Sequence, residues 1–96
     1  MFARTSTWSG SPEALQKWAD SAASEVMGFV KGLPGNAGVM FLIDRDSGMA
    51  LTLTLWDSED AAKATDQFAD QSRAATVAAT GTELVARGSF EVVASS

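Results

Sequence analysis

From Met49 to Trp56 the chain alternates without a break, with Leu51, Leu53 and Leu55 on one side of an extended strand and Thr52, Thr54 and Trp56 on the other. The run before it is different. Val39, Met40, Phe41, Leu42 and Ile43 are consecutive and apolar, so a strand over 37–43 is greasy on both faces. Asp44-Arg45-Asp46-Ser47-Gly48 between them carries turn chemistry and joins the two as a hairpin. A third strand is expected over 2–8, where bulky or long residues (Phe2, Arg4, Trp8) interleave with small ones (Ala3, Thr5, Thr7). A fourth is expected over 83–94, with Gly88 marking a bulge or a close backbone approach.

Elsewhere the period lengthens. Gly10-Ser11-Pro12 supplies a break, a capping hydroxyl and a proline at the first helical position, with Glu13 favouring the dipole. Leu15, Trp18, Ala19, Ala22, Val26, Phe29 and Val30 then form one stripe of a long helix that Gly32 and Leu33-Pro34-Gly35 end. A second helix starts at Asp57-Ser58-Glu59-Asp60, runs through Ala61, Ala62, Phe68 and Ala69 toward Val77, and breaks at Gly81.

The order β-α-β-β-α-β predicts one α+β domain over 1–96 of the ferredoxin-like kind: a four-stranded antiparallel sheet with both helices on one face. Strand two lies at an edge in that topology, and the second sheet face has no cover. An apolar edge and face invite association, and a second copy of the chain, giving a homodimer, is the simplest cover.

Composition narrows the function classes. The 46% apolar content supports a folded domain, and a net charge of −5 is the wrong sign for a phosphate backbone, so no nucleic-acid partner is expected. The longest apolar run is too short to cross a membrane, no signal-peptide pattern opens the chain, and cysteine is absent; a cytoplasmic protein without disulfides is the expectation. Histidine is also absent, and no serine stands beside an evident activating base, which argues against a hydrolase.

Leu33-Pro34-Gly35, Gly38, the hairpin, and Leu53-Thr54-Leu55-Trp56-Asp57-Ser58-Glu59-Asp60-Ala61 resemble the antibiotic biosynthesis monooxygenase family over nearly the whole chain. The resemblance implies a dimeric α/β barrel with a pocket between sheet and helices in each subunit. It also implies oxidation of polyketide-like phenols to quinones without metal, flavin or other cofactor. Family members that do this carry an asparagine four residues before the strand-three tryptophan and a tyrosine six after it. Here the tryptophan is Trp56, the asparagine position holds Thr52, and the tyrosine position holds Ala62. Haem-degrading relatives bring a histidine to iron, which this chain cannot do.

The candidate pocket residues are therefore Thr52, Thr54, Trp56 and Phe68, for a small aromatic ligand, with no catalytic acid or base and no metal ligand assigned. If the threonine face looks at the helices, the small Ala61, Ala62 and Ala69 leave room above it. The plainer reading has Trp56 plugging the sheet end. Asp57, Glu59 and Asp60 suit a helix start, and Asp66 and Asp70, near Lys63 and Arg73, suit a solvated charged face. Arg4 and Arg87 are expected to pair with Glu83 or Glu91, the alternative being capture of an acidic or phenolate group. Trp8 and Trp18 are assigned to packing, with the Trp8 indole N–H at a strand end in water. Two functions follow: a cofactor-independent oxygenase-like protein, or a non-catalytic barrel that binds a small apolar ligand or serves a structural role.

Overall fold

The computed structural model describes residues 1–96. Its strands are β1 (Phe2–Ser9), β2 (Asn36–Asp44), β3 (Met49–Trp56) and β4 (Glu83–Glu91), arranged in one sheet of order β2-β3-β1-β4 with every neighbouring pair antiparallel. This is the expected ferredoxin-like topology, with β2 at one edge. β4 stops at Glu91, three residues short of the expected end.

Register fixes which side chains share a face. Arg4 stands opposite Thr54, Ser6 opposite Thr52, and Trp8 opposite Ala50, while Phe41 faces Thr52 from the other neighbour. All of these point to the helices. Leu51, Leu53 and Leu55, with Met40 and Leu42 beside them, point away. The pairing of β1 with β4 shifts between Thr7 and Trp8, so that bulge falls at Val85 and not at Gly88, and a second shift lies between Asn36 and Gly38 in the pairing of β2 with β3. Gly88 is instead a close approach: a Cβ there would sit 2.7 Å from Thr5 Oγ1.

The first helical region is less regular than its stripe implies. It begins as α1 (Pro12–Ser21), capped by Ser11, whose hydroxyl accepts from Ala14 N at 3.2 Å. It passes through a π-helical turn over Ala22–Val26 and ends as α2 (Met27–Lys31). Sequence periodicity does not signal the π turn, because one inserted residue only rotates the stripe. The second region is also divided. A short α3 (Glu59–Lys63), capped by Ser58 at 3.1 Å from Ala61 N, breaks at Thr65 before α4 (Asp66–Thr80). Gly81, with φ of 78°, ends α4 in the left-handed conformation that glycine adopts without strain.

The core is thin. Only 13 of 96 residues are buried, and the packed centre is Trp8, Leu15, Trp18 and Ala50, at one end of the sheet. Phe41 meets Trp18 edge-to-face, with centroids 5.8 Å apart. The other end, under α2 and α4, is hollow.

Candidate functional site

The hollow is a cavity of about 100 Å³ between sheet and helices. Its floor is Arg4, Ser6, Thr52 and Thr54, and its walls are Trp8, Trp18, Phe41 and Trp56. The roof comes from both helical regions: Ala22 and Val26 of the π turn, then Ala69 and Ser72 of α4. Small residues on α4 leave the space that a larger side chain would fill. The π turn lets Trp18 and Phe29, on either side of it, line the same cavity. At the mouth, Phe29 and Phe68 meet edge-to-face at 6.4 Å while each stays more than half exposed, 54% and 53%. Apolar surface held open at a cavity mouth is characteristic of ligand entry.

Thr52, Thr54, Trp56 and Phe68 are thus brought together around one space. Trp56 joins both of its sequence readings, since it is 3% exposed at the sheet end and also lines the cavity. Its Nε1 donates to Thr54 Oγ1 at 3.0 Å. Trp8 does the same to Thr52 Oγ1 at 3.1 Å, so its indole is buried and not wet as expected. Each threonine on this face therefore fixes the ring of one tryptophan. Of the small residues expected above the floor, Ala69 lines the cavity, whereas Ala62 is wholly buried outside it and Ala61 packs against Gly35.

The charged groups also differ from expectation. Arg4 pairs with Asp66, and Asp70 holds both Arg73 and Arg87, the latter at 3.2 Å; neither Glu83 nor Glu91 is used. Lys63 turns to Glu59 at 2.9 Å, and that carboxylate raises its pKa at the surface. Asp66 and Asp70 are therefore anchors for strand arginines and not merely a solvated helix face. Arg4 and Arg73 line the cavity on one side and a polar groove of about 360 Å³ on the other, so these ion pairs form the wall between ligand space and solvent. Arg4 carries a further feature: its Nε is buried and meets no acceptor. Leaving such a donor unpaired costs about 1–3 kcal/mol. Ser6, Trp8 and Trp18 went unassigned to the pocket in the sequence, and Arg4 entered it only as the alternative to an ion pair, because their shared face depends on register and on the π turn; the Arg4-Ser6-Trp8 alternation was the available signal.

No carboxylate lines the cavity, and no cluster of three or more metal-ligating side chains exists in the chain. No helix is long and apolar enough to cross a membrane.

No family model matches the sequence, and no curated protein does. Solved structures do match. A Deinococcus radiodurans protein assigned to the antibiotic biosynthesis monooxygenases superposes with a TM-score of 0.78 at 13% identity, covering 99% of this chain and 95% of its own. A Streptomyces coelicolor monooxygenase, ActVA-Orf6, in complex with nanaomycin D, gives 0.71 at 17% identity, with 99% and 91% covered. MhuD, a haem degrader of Mycobacterium tuberculosis with two haems bound, gives 0.68 at 22% identity, with 100% and 99% covered. The fold of this chain is that of antibiotic biosynthesis monooxygenase-like proteins. The chain has no histidine, cysteine or tyrosine to meet a haem iron.

Proposed function

We propose that the chain binds a small, flat, electron-rich aromatic in this cavity and promotes its oxidation by dioxygen without a bound cofactor. The observation that carries the reading is a space walled by Trp8, Trp18, Phe41 and Trp56 above a floor of hydroxyls and an arginine, within the fold of ligand-binding monooxygenases. A substrate that supplies its own reducing electrons needs to be positioned and shielded from water, and the site is equipped for both. The balanced outcome for a phenol with a free para ring position is quinone plus water from one dioxygen. Oxygen uptake by the protein with 1-naphthol, read together with quinone absorbance, tests it. Equal molar uptake and quinone, falling at least tenfold in Trp56→Phe, is the expected result.

A second reading is favoured by one observation. The position of the family's tyrosine holds Ala62, buried and outside the cavity, and that of its asparagine holds Thr52, already tied to Trp8. A barrel that binds the aromatic without oxidising it accounts for both. Binding of 1-naphthol with no oxygen uptake establishes this one instead.

Assembly as a homodimer belongs to either reading. It is supported by the outward sheet face, where Met40, Leu42 and Phe90 are 54%, 42% and 57% exposed beside the partly exposed Leu51, Leu53 and Leu55.

A further inference from the structure

α4 covers the cavity without filling it. Of its 15 residues only Thr80 is buried, while Phe68, Ala69, Ser72, Arg73 and Thr76 look onto the hollow where a packed helix would meet side chains. Its two ends are fixed. Before it, buried Thr65 interrupts the helix and gives its hydroxyl to Ala62 O at 2.8 Å; after it, Gly81 turns left-handed and the buried Thr80 and Thr82 hydroxyls meet at 2.7 Å. Between those points the side chains of α4 make two bonds to the sheet: Asp66 accepts from Arg4, and Asp70 accepts from Arg87 at 3.2 Å. Arg73 of α4 draws on the same Asp70 oxygen, so that carboxylate is shared. Across the mouth Phe68 adds its edge-to-face contact with Phe29.

Ion pairs whose carboxylates are 52% and 62% exposed, and which open to solvent through the polar groove, hold weakly and are screened by salt. The Phe29–Phe68 contact is apolar and is not loosened in that way. We propose that α4 is a flap over the cavity, hinged at Thr65 and Gly81 and latched by the Arg4–Asp66 and Arg87–Asp70 pairs, and that ligand passes when the latch lets go. At both hinges the backbone already departs from helix, so the flap turns as a rigid piece with its own hydrogen bonds kept. In register Arg87 stands opposite Ser6 and Ser89 opposite Arg4, which puts the latch on the helix side of the sheet, clear of the outer face. The motion goes beyond the aromatic-binding reading and stands without it, whereas passage of a ligand rests on that reading.

The chain has no cysteine, so a single thiol can report the opening. Ser6→Cys places one on the buried floor beneath the flap, and Ser47→Cys places one on the exposed hairpin as the reference. Labelling by iodoacetamide, which is uncharged, is followed by mass. From about 20 mM to about 0.5 M sodium chloride, labelling of Ser6→Cys relative to the reference should rise at least about threefold, with the unfolding midpoint unchanged. Adding Arg87→Gln should produce that rise already at low salt, and Lys63→Gln, which removes the α3 ion pair, should not. Should Ser6→Cys fold poorly, Ser72→Cys on the underside of α4 is the second reporter. Release of 4-nitroanisole, flat and uncharged so that salt acts on the protein and not on the probe, is read from recovery of the tryptophan fluorescence it quenches and should quicken in step. Labelling that ignores both salt and Arg87→Gln overturns the latch, and release that ignores salt while labelling responds overturns the gate. If equilibrium dialysis shows no retention of 4-nitroanisole, the aromatic-binding reading falls, and the thiol alone decides the flap.

Discussion

Two indole-to-threonine hydrogen bonds decide the shape of the cavity, because each turns a wall residue to a fixed angle on the sheet. Replacing Thr52 by valine keeps shape and volume but leaves Trp8 Nε1 buried without an acceptor. Thr52→Val is expected to cost about 1–3 kcal/mol in denaturant unfolding, more than a surface threonine would. Trp56→Phe removes the donor itself and some apolar area, and leaves Thr54 still facing Arg4 O; about 1–2 kcal/mol is expected, with the fold retained. A larger loss for Trp56→Phe than for Thr52→Val would mean that packing, not hydrogen bonding, holds these rings. At this scale the sequence was a partial guide. The alternation of β3 was enough to group Thr52, Thr54 and Trp56, because a strand's period is fixed by its backbone. It could not show that Arg4 answers to Asp66 or that Trp8 answers to Thr52, since those partners lie 62 and 44 residues apart and depend on register.

Among the elements, the two stretches that carried the family resemblance turn out to touch. Gly35 has φ of 80°, its carbonyl accepts from Asp57 N at 2.8 Å, and a Cβ on it would lie 2.6 Å from the Ala61 Cβ. The turn before β2 and the start of α3 thus pack at a distance only glycine permits. Gly35→Ala combines that clash with a positive φ, and a loss of about 2–4 kcal/mol in unfolding free energy is expected. A cost under 1 kcal/mol would show that the two segments separate easily. The helices teach a different lesson. The cap at Ser11 and the helix start over 57–60 were legible from local chemistry, whereas the π turn over Ala22–Val26 was not, because its cost is local and its benefit is tertiary. Deleting Ser24, which is exposed within that turn, should restore regular helix and swing either Trp18 or Phe29 off the cavity. Retention of 4-nitroanisole should then fall at least tenfold while helical circular dichroism is unchanged or increased.

For the whole molecule the question is how so thin a core is stable. A monomeric protein of 10.0 kDa exposes about 5,200 Å² on average, and this chain exposes 5818 Å². The excess, about 600 Å², approaches the roughly 800 Å² that one partner contributes to a standard interface. The strand pattern leaves an apolar outer face: Leu51, Leu53 and Leu55 leave one side of the sheet as cleanly as the threonines enter the other, and Met40 and Leu42 extend that face to the β2 edge. The helices spend their apolar stripes on the inner face and have nothing left for this one. A second sheet of the same kind satisfies it symmetrically. Sedimentation at micromolar concentration is therefore expected to give a mass near twice 10.0 kDa. Leu53→Asp places a charge at the centre of the outer face, clear of the cavity, and should yield monomer of reduced stability, since the partner's cover is lost along with the leucine. Thr76→Asp, on α4 at the cavity side, is the informative contrast: it should disturb ligand retention and leave the sedimenting mass alone. A native chain that sediments only as monomer, or a Leu53→Asp variant unchanged in mass, would assign the outer face to some other cover and leave the cavity as a site complete within one chain.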